Sequence, residues 1–223
     1  MRNATLARAA VLAAAALFVA SGLLAAEPAD VKLPFNPLES AAEGDWALYK
    51  VSDPASGEPL PPEMFSIRSV TNGAILVTDA SQSRFRYKQG QAGASAIAFL
   101  HGFFGEVRES LAPDLRSITV TADPIKVGGR AYDAIRIDAN LVTKFTDAES
   151  NGRGAGEMKT KIAIWVARGV HGIGMVKTKA WIDLLGETHA GFLELDQHGT
   201  AAEKPVFPGD AAQAATATAK PEK

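Results

Sequence analysis

Cysteine is absent from the 223 residues of the chain, and its absence excludes several kinds of protein and site. No disulfide can form, so an exported domain with this sequence relies on its own core for stability. A bacterial lipoprotein carries its lipid on a cysteine, so the chain is not a lipoprotein. The histidines also lack the i,i+2 and i,i+4 spacings of metal ligands, and neither a metal site nor a cofactor is predicted. The histidines are His101, His171, His189 and His198.

Strong charge and catalytic motifs are missing as well. The chain has 23 basic and 25 acidic side chains, a net charge of −2, and no long basic run, so we expect no nucleic-acid partner. The spacings of the G-x-S-x-G nucleophile turn, the phosphate loop and the dinucleotide fingerprint do not occur. His171, in a glycine-rich connection, is better explained as a turn residue near water than as a catalytic base. No catalytic residue is predicted, and an enzyme is the least favoured class.

The N-terminus has the pattern of a secretory signal peptide. Arg2 and Arg8 precede an apolar, alanine-rich run from Ala9 to Ala26, and small residues stand at its end. We expect cleavage near Ala26, with cleavage after Ser21 as the other choice. An uncleaved anchor is the alternative, because the run approaches the roughly 20 residues that span a bilayer. The predicted location is the periplasm or the extracellular space.

Composition divides the rest of the chain into three parts. Residues 27–44 are dotted with proline and are expected to be irregular. Residues 45–198 carry the strand-like patterns and are predicted to form one antiparallel β domain. Residues 199–223 contain mostly Ala, Thr, Pro and Lys without an apolar period, which indicates a disordered tail.

The body of the chain alternates with a period of two, and it contains two hairpin signals. Asn72-Gly73 and Gly128-Gly129 each separate apolar runs, and such pairs suit tight turns because their positions need positive φ. After the second pair, alternate residues are apolar and the intervening ones are polar. This pattern indicates a sheet with one buried and one solvated face.

The stretch from Ile164 to Asp183, "IWVARGVHGIGMVKTKAWID", is interpreted as the end of one strand, a glycine-bearing connection and the next strand. Alternation places Trp165 and Trp181 on the polar face beside lysines. A cationic aromatic surface for lipid headgroups or a partner is one interpretation. Lysine stems that merely cover two rings, or a helix that covers this face, are the alternatives.

One segment has helical spacing instead. Between Ser95 and Leu111 the apolar residues recur every three or four positions, Ser95 suits a helix N-cap, and Pro113 follows the end. A strand at "AIAFLHGF" is the competing interpretation. Together the patterns predict a mainly β fold: a curved antiparallel sheet, or half-barrel, with one or a few helices on its concave face. A closed β-barrel or a sandwich is the alternative.

The order of short motifs between about residues 118 and 195 resembles a known family. "YDAIRID", "IAIWVA" and "GIGMVKTKAW" follow one another as in exported bacterial lipoprotein-carrier-like proteins, the LolA-type half-barrels. The resemblance implies a curved sheet whose concave face is covered by helices and holds acyl chains. This chain departs from the pattern, since it shows one convincing helix where the carriers use several.

Two functions of different classes follow from these observations. The first is an exported, non-catalytic binding protein of the bacterial cell envelope that holds an apolar ligand, a lipid or a lipidated protein, between sheet and helix. Peripheral membrane contact is compatible with it. The second is a structural or protein-interaction module with a filled core and no small ligand. The predicted ligand-binding residues are Ile97, Leu100, Phe103, Phe104, Val107, Trp165 and Trp181.

Overall fold

The computed structural model describes residues 31–104, 113–146, 155–184 and 186–207. Eleven strands and one α-helix lie in these ranges. The strands are β1 (Trp46–Ser52), β2 (Pro59–Thr71), β3 (Ala74–Thr78), β4 (Arg84–Lys88), β5 (Asp114–Ala122), β6 (Ile125–Val127), β7 (Arg130–Tyr132), β8 (Ala134–Phe145), β9 (Gly156–Ala167), β10 (Met175–Leu184) and β11 (Glu187–Gly199). The helix is α1 (Ala96–Phe104), preceded by a 3-10 turn at Gly90–Ala94.

Nine of the strands form one antiparallel sheet in the order β4-β3-β2-β1-β11-β10-β9-β8-β5. The sheet curls into a half-barrel, which confirms the predicted fold class. Its two edges, β4 and β5, are consecutive strands of the sheet along the chain, and α1 lies between them in sequence. The helix packs mainly on β4 and touches β5 lightly, so it occupies the concave side between the two edges.

The Asn72-Gly73 signal is confirmed as the tip of the hairpin of β2 and β3. Thr71 pairs with Ala74 across it, and both turn residues have positive φ, 50° at Asn72 and 73° at Gly73. Gly128-Gly129 also lies at a hairpin tip, between β6 and β7. These two short strands form a separate two-stranded sheet, whereas the long neighbours β5 and β8 pair with each other directly.

The stretch from Ile164 to Asp183 is confirmed as two strands and a connection. β9 ends at Ala167, the turns that follow contain Gly169, Gly172 and Gly174 at positive φ, and β10 begins at Met175. Gly172 and Gly174 face Ala47 and Pro37 so closely that an added Cβ would lie within 2.9 Å of Ala47 and 2.7 Å of Pro37. The glycines therefore let this connection pack against the start of β1 and the segment before it.

The helix prediction is confirmed over its described part. Ser95 caps α1, because the backbone N–H of Ala98 donates to the Ser95 hydroxyl at 3.0 Å. The helix runs to Phe104, and the remainder of the predicted segment, including Val107 and Leu111, lies outside the described residues. The competing strand at this position is wrong.

The chain before β1 lies against the concave side. Leu33 and Leu38 are buried in the main core, and Lys32 pairs with Ser95 in an isolated β-bridge. The buried Asn36 fixes this segment by donating to the Gly90 carbonyl at 2.9 Å and accepting from the Leu38 N–H at 3.0 Å. The helix and this segment are therefore tied together at the N-terminus of α1.

Candidate functional site

The concave face has an aromatic half, which we define as the inward side of β1 to β4. Tyr49, Phe65 and Phe85 make successive edge-on contacts, each with ring centroids 5.6 Å apart. Tyr87 on β4 continues the set and contacts Phe99 of α1 at 5.5 Å. Burial of these rings between helix and sheet gives a filled aromatic core with specific ring geometry.

The two tyrosines of the aromatic half are structural. Burial raises the pKa of Tyr49 and of Tyr87 well above the usual tyrosine value, so both phenols stay neutral. The Tyr49 hydroxyl donates to the Met175 carbonyl at 3.0 Å, which links β1 to the start of β10. Neither ring is available for acid–base chemistry at neutral pH.

The other part of the concave face is an aliphatic half, which we define as the inward side of β8, β9 and β10. Alternation along these strands places aliphatic side chains and a few threonines inward, with a single aromatic residue, Phe145, at the end of β8. Its apolar members include Ile137, Ala139, Leu141, Met158, Ile162, Ile164, Ala180 and Ile182, all buried.

A row of small side chains crosses this aliphatic half. Ala139 pairs with Ile162, Ile162 with Ala180, and Ala180 with Gly191, so three of four neighbouring positions on four strands carry one carbon or none beyond Cα. Small residues here lower the inward surface of the sheet relative to the rows of larger side chains on either side.

The predicted helix residues that the structure describes lie against the aromatic half. Leu100 and Phe103 are buried with 1% and 8% of their surfaces exposed, and Ile97 is partly buried against the same core. Tyr87, which contacts Phe99, also lies within 2.7 Å of the Cβ that Gly102 lacks, so α1 sits directly on β4. The side chain of Phe104 and all of Val107 lie outside the described residues. The described stripe of α1 thus packs on the aromatic half.

Trp165 lies on the outer, polar face, as alternation predicts. Its indole N–H donates to Asp123 Oδ2 at 2.9 Å, and Arg136 lies over its ring at 5.7 Å. Arg136 also binds Asp123 at 3.2 Å and Asp138 at 2.7 Å, and the hydrogen bond that it donates to Asp138 is the main cause of its raised pKa. Trp165 is 7% exposed and fastens the connection after β5 onto the sheet.

Trp181 is half-buried on the same outer face and is not a neighbour of Trp165. The register puts them four residues apart along the strands, about 13 Å, because Trp165 pairs with Lys177 and Trp181 with Lys161. The aromatic partner of Trp181 is Phe192, with ring centroids 5.6 Å apart. The sequence analysis missed Phe192, since only the pairing of β10 with β11 brings it there.

Lysines surround this aromatic pair. Lys161 Nζ lies 5.9 Å from the Trp181 ring and Lys179 Nζ lies 5.1 Å from the Phe192 ring. A shallow depression of about 270 Å³ opens beside Trp181. It is lined by Asn140, Lys159, Lys161, Trp181, Asp183 and Thr188. The outer face thus offers a cationic aromatic surface with two half-buried rings.

A histidine pair lies at one end of the sheet. His171 Nδ1 is 3.2 Å from the buried Asp45 carboxylate, and its ring is 5.4 Å from that of His198. The His171 backbone N–H donates to His198 Nδ1 at 3.2 Å, so that nitrogen carries no proton in this arrangement. Burial, then the charges of His171 and Arg130, lowers the pKa of His198. The pair holds the connection after β9 against the end of β11.

Within the described residues, no group of three or more His, Asp or Glu side chains has the geometry to hold a metal ion. No helix in those residues is long and apolar enough to cross a membrane. Comparison of the chain with family models, with curated proteins and with solved structures gives no match. The two candidate sites are therefore the aliphatic half of the concave face and the cationic aromatic surface beside Trp181.

Proposed function

We propose that the protein is a non-catalytic binding protein of the bacterial cell envelope that holds an apolar ligand, a lipid or a lipidated protein, against the aliphatic half of the concave face. The observation that carries the proposal is the row of Ala139, Ala180 and Gly191 beside Ile162, a low and wholly apolar strip across four strands. Acyl chains are flexible and aliphatic, and they fit such a strip better than flat aromatic ligands do.

The division of the concave face supports this proposal. Aromatic side chains of β1 to β4 pack edge-on with one another and with α1, which fixes that half as a rigid core. The aliphatic half has no comparable ring network, and α1 contacts its edge strand β5 only lightly. A ligand therefore reaches the aliphatic wall by displacing flexible side chains, without disturbing the aromatic half.

The proposed location rests on the N-terminal composition. A basic start, the apolar run from Ala9 to Ala26 and small residues at its end are typical of a cleaved signal peptide. Export to the periplasm or beyond agrees with a cysteine-free domain that is stabilised by a large β core. The lipids of the envelope then supply ligands of the proposed chemistry.

A second candidate, a protein-interaction module with a filled core, is favoured by the outer face. Trp181 and Phe192 lie together under Lys161 and Lys179, a combination of rings and cations suited to an anionic partner or to lipid headgroups. On this alternative the concave face is core throughout and holds nothing.

Replacing a small residue of the aliphatic half by a larger one distinguishes the two functions. In a filled core, Ala180→Leu overpacks its neighbours and lowers the free energy of unfolding by about 1–3 kcal/mol. Over a ligand site the added carbons occupy ligand volume. We therefore expect delipidated Ala180→Leu protein to lose less than about 1 kcal/mol in urea unfolding and to lose most of its binding of Nile red, a neutral apolar dye.

Ala190→Leu is the matched control, because Ala190 pairs with Trp181 on the outer face. It should leave Nile red binding unchanged. Mass spectrometry of lipid extracts from the purified wild-type protein provides a second readout, and co-purifying acyl species are expected. A full overpacking loss in Ala180→Leu, together with no dye binding by wild-type protein, would leave the interaction module as the function.

A further inference from the structure

Two threonine hydroxyls on the concave face are buried without a hydrogen-bond partner. Thr143 and Thr160 are 2% and 3% exposed, and the Oγ1 atom of each is inaccessible and unpaired. An unpaired buried hydroxyl costs about 1–3 kcal/mol, whereas valine has nearly the same shape and no such cost. Two such groups side by side on an apolar wall therefore need an explanation other than packing.

The two hydroxyls belong to one small area of the aliphatic half. Thr143 pairs with Met158 and Thr160 pairs with Leu141, so the two threonines are diagonal neighbours on β8 and β9, about 7 Å apart. Hydrogen bonds of hydroxyl donors are about 2.7 Å long, and a single acceptor group between the two threonines can accept from both. The area lies at the end of the wall away from the Tyr49–Met175 contact.

Resting on the proposed function, we propose that Thr143 and Thr160 bind the carbonyl group of a neutral acyl ligand, an ester or amide, whose chain lies along the row of Ala139 and Ala180. The surroundings decide between a neutral and a charged head. Leu141, Met158 and Ile182 line the area, and two neutral donors do not compensate the burial of a carboxylate.

The nearest titratable groups on this side of the described sheet reinforce that choice. His189 pairs with Ile182 and lies two strands from Thr160, and Glu187 at the same end of β11 is acidic. Neither supplies a fixed positive charge next to the threonines.

Met158 lies opposite Thr143 and provides the route by which the ligand enters. Its unbranched thioether side chain adopts several rotamers and therefore moves aside easily.

The test uses valine substitutions, which remove a hydroxyl at nearly constant shape. Thr143→Val and Thr160→Val should leave the Tm of the delipidated protein unchanged or raise it by about 2–4 °C, since each removes an unpaired group. Each should weaken binding of a monoacylglycerol, measured by Nile red displacement, about tenfold, the loss of one hydrogen bond. Nile red itself should bind as to wild type.

Thr178→Val is the matched control. Thr178 is buried on the same face, one strand away, but its hydroxyl is already paired with Met175 Sδ. This variant should lower the Tm slightly and leave monoacylglycerol binding unchanged. Palmitate at pH 7.5 forms the second arm, and wild-type protein should bind it more weakly than the monoacylglycerol.

The outcomes separate this inference from the proposed function. If the wild-type protein binds neither Nile red nor monoacylglycerol, the proposed function and this inference both fail. If it binds both, and the valine variants bind the ester as tightly as wild type, only the role of the threonines is refuted. Palmitate bound more tightly than the ester would overturn the neutral head group.

Discussion

Gly102→Ala sets two effects of known sign against each other on the helix α1. Alanine favours a helix interior over glycine by about 1 kcal/mol, and Gly102 does not have positive φ, so propensity alone predicts stabilisation. The Cβ of alanine would however lie within 2.7 Å of three ring carbons of Tyr87. Normal carbon contacts are about 3.5–4.0 Å, so the ring or the helix must move by about 1 Å.

The Tyr87 ring cannot move aside without a cost in packing energy. Its ring is 2% exposed and is held against Phe99, 5.5 Å away. Overpacking of such a site costs about 1–3 kcal/mol, and the propensity gain offsets only part of it. We expect Gly102→Ala to lower the free energy of unfolding by up to about 2 kcal/mol in urea titrations followed by circular dichroism.

The same substitution in a Tyr87→Leu background provides the control. With the ring removed, alanine should be neutral or stabilising relative to glycine, because only propensity remains. Stabilisation of the otherwise wild-type protein by Gly102→Ala would refute the reasoning, since it would mean that α1 does not lie against Tyr87.

Two further predictions concern the ends of the sheet. Gly73→Val should destabilise the protein by more than about 1 kcal/mol in urea unfolding, because φ is 73° at that position and a β-branched residue resists this conformation. A Cβ at Gly73 would contact no other atom, so the cost comes from the backbone alone. An effect no larger than that of Thr71→Val in the adjoining strand β2 would contradict this prediction. The free energy of unfolding should also fall as the pH drops from about 6.5 through the lowered pKa of His198, since the unfolded chain binds the proton more readily than the folded one. Above about pH 7 this contribution is constant. His198→Asn keeps an acceptor for the His171 N–H and should flatten the difference in unfolding free energy between pH 7.5 and pH 5.5; an unchanged pH dependence in this variant would rule His198 out as its source.

The predictable part of the fold rests on local patterns. Alternation identified most of the strands, though not the edge strand β4, because a residue's side of a sheet depends only on its parity along the strand. The turn at Asn72-Gly73 follows from its backbone conformation, and the Ser95 cap from the unpaired N–H groups at a helix start. Parity also placed Trp165 and Trp181 on the outer face correctly.

The candidate site was only partly predictable for the same reason. Alternation places Ala139 and Ala180 on the inward faces of their strands, but it does not reveal how neighbouring strands are aligned. Only the strand register brings these two residues into one row with Ile162 and Gly191. The sequence analysis put the ligand under the helix stripe of Ile97, Leu100 and Phe103. The structure shows that Leu100 and Phe103 pack in the core, on the side of the helix that faces the aromatic strands.

By itself the sequence determined most of the strands, the two hairpin turns, the described helix and the mainly β class, because each depends on neighbours within a few residues. Only the tertiary structure decided which side chains contact each face of the sheet. It joined Trp181 to Phe192 and Trp165 to Asp123, and it left the hydroxyls of Thr143 and Thr160 buried and unpaired. These contacts join residues that are 11 to 42 positions apart or depend on burial by distant segments, and a one-dimensional pattern carries no information about either.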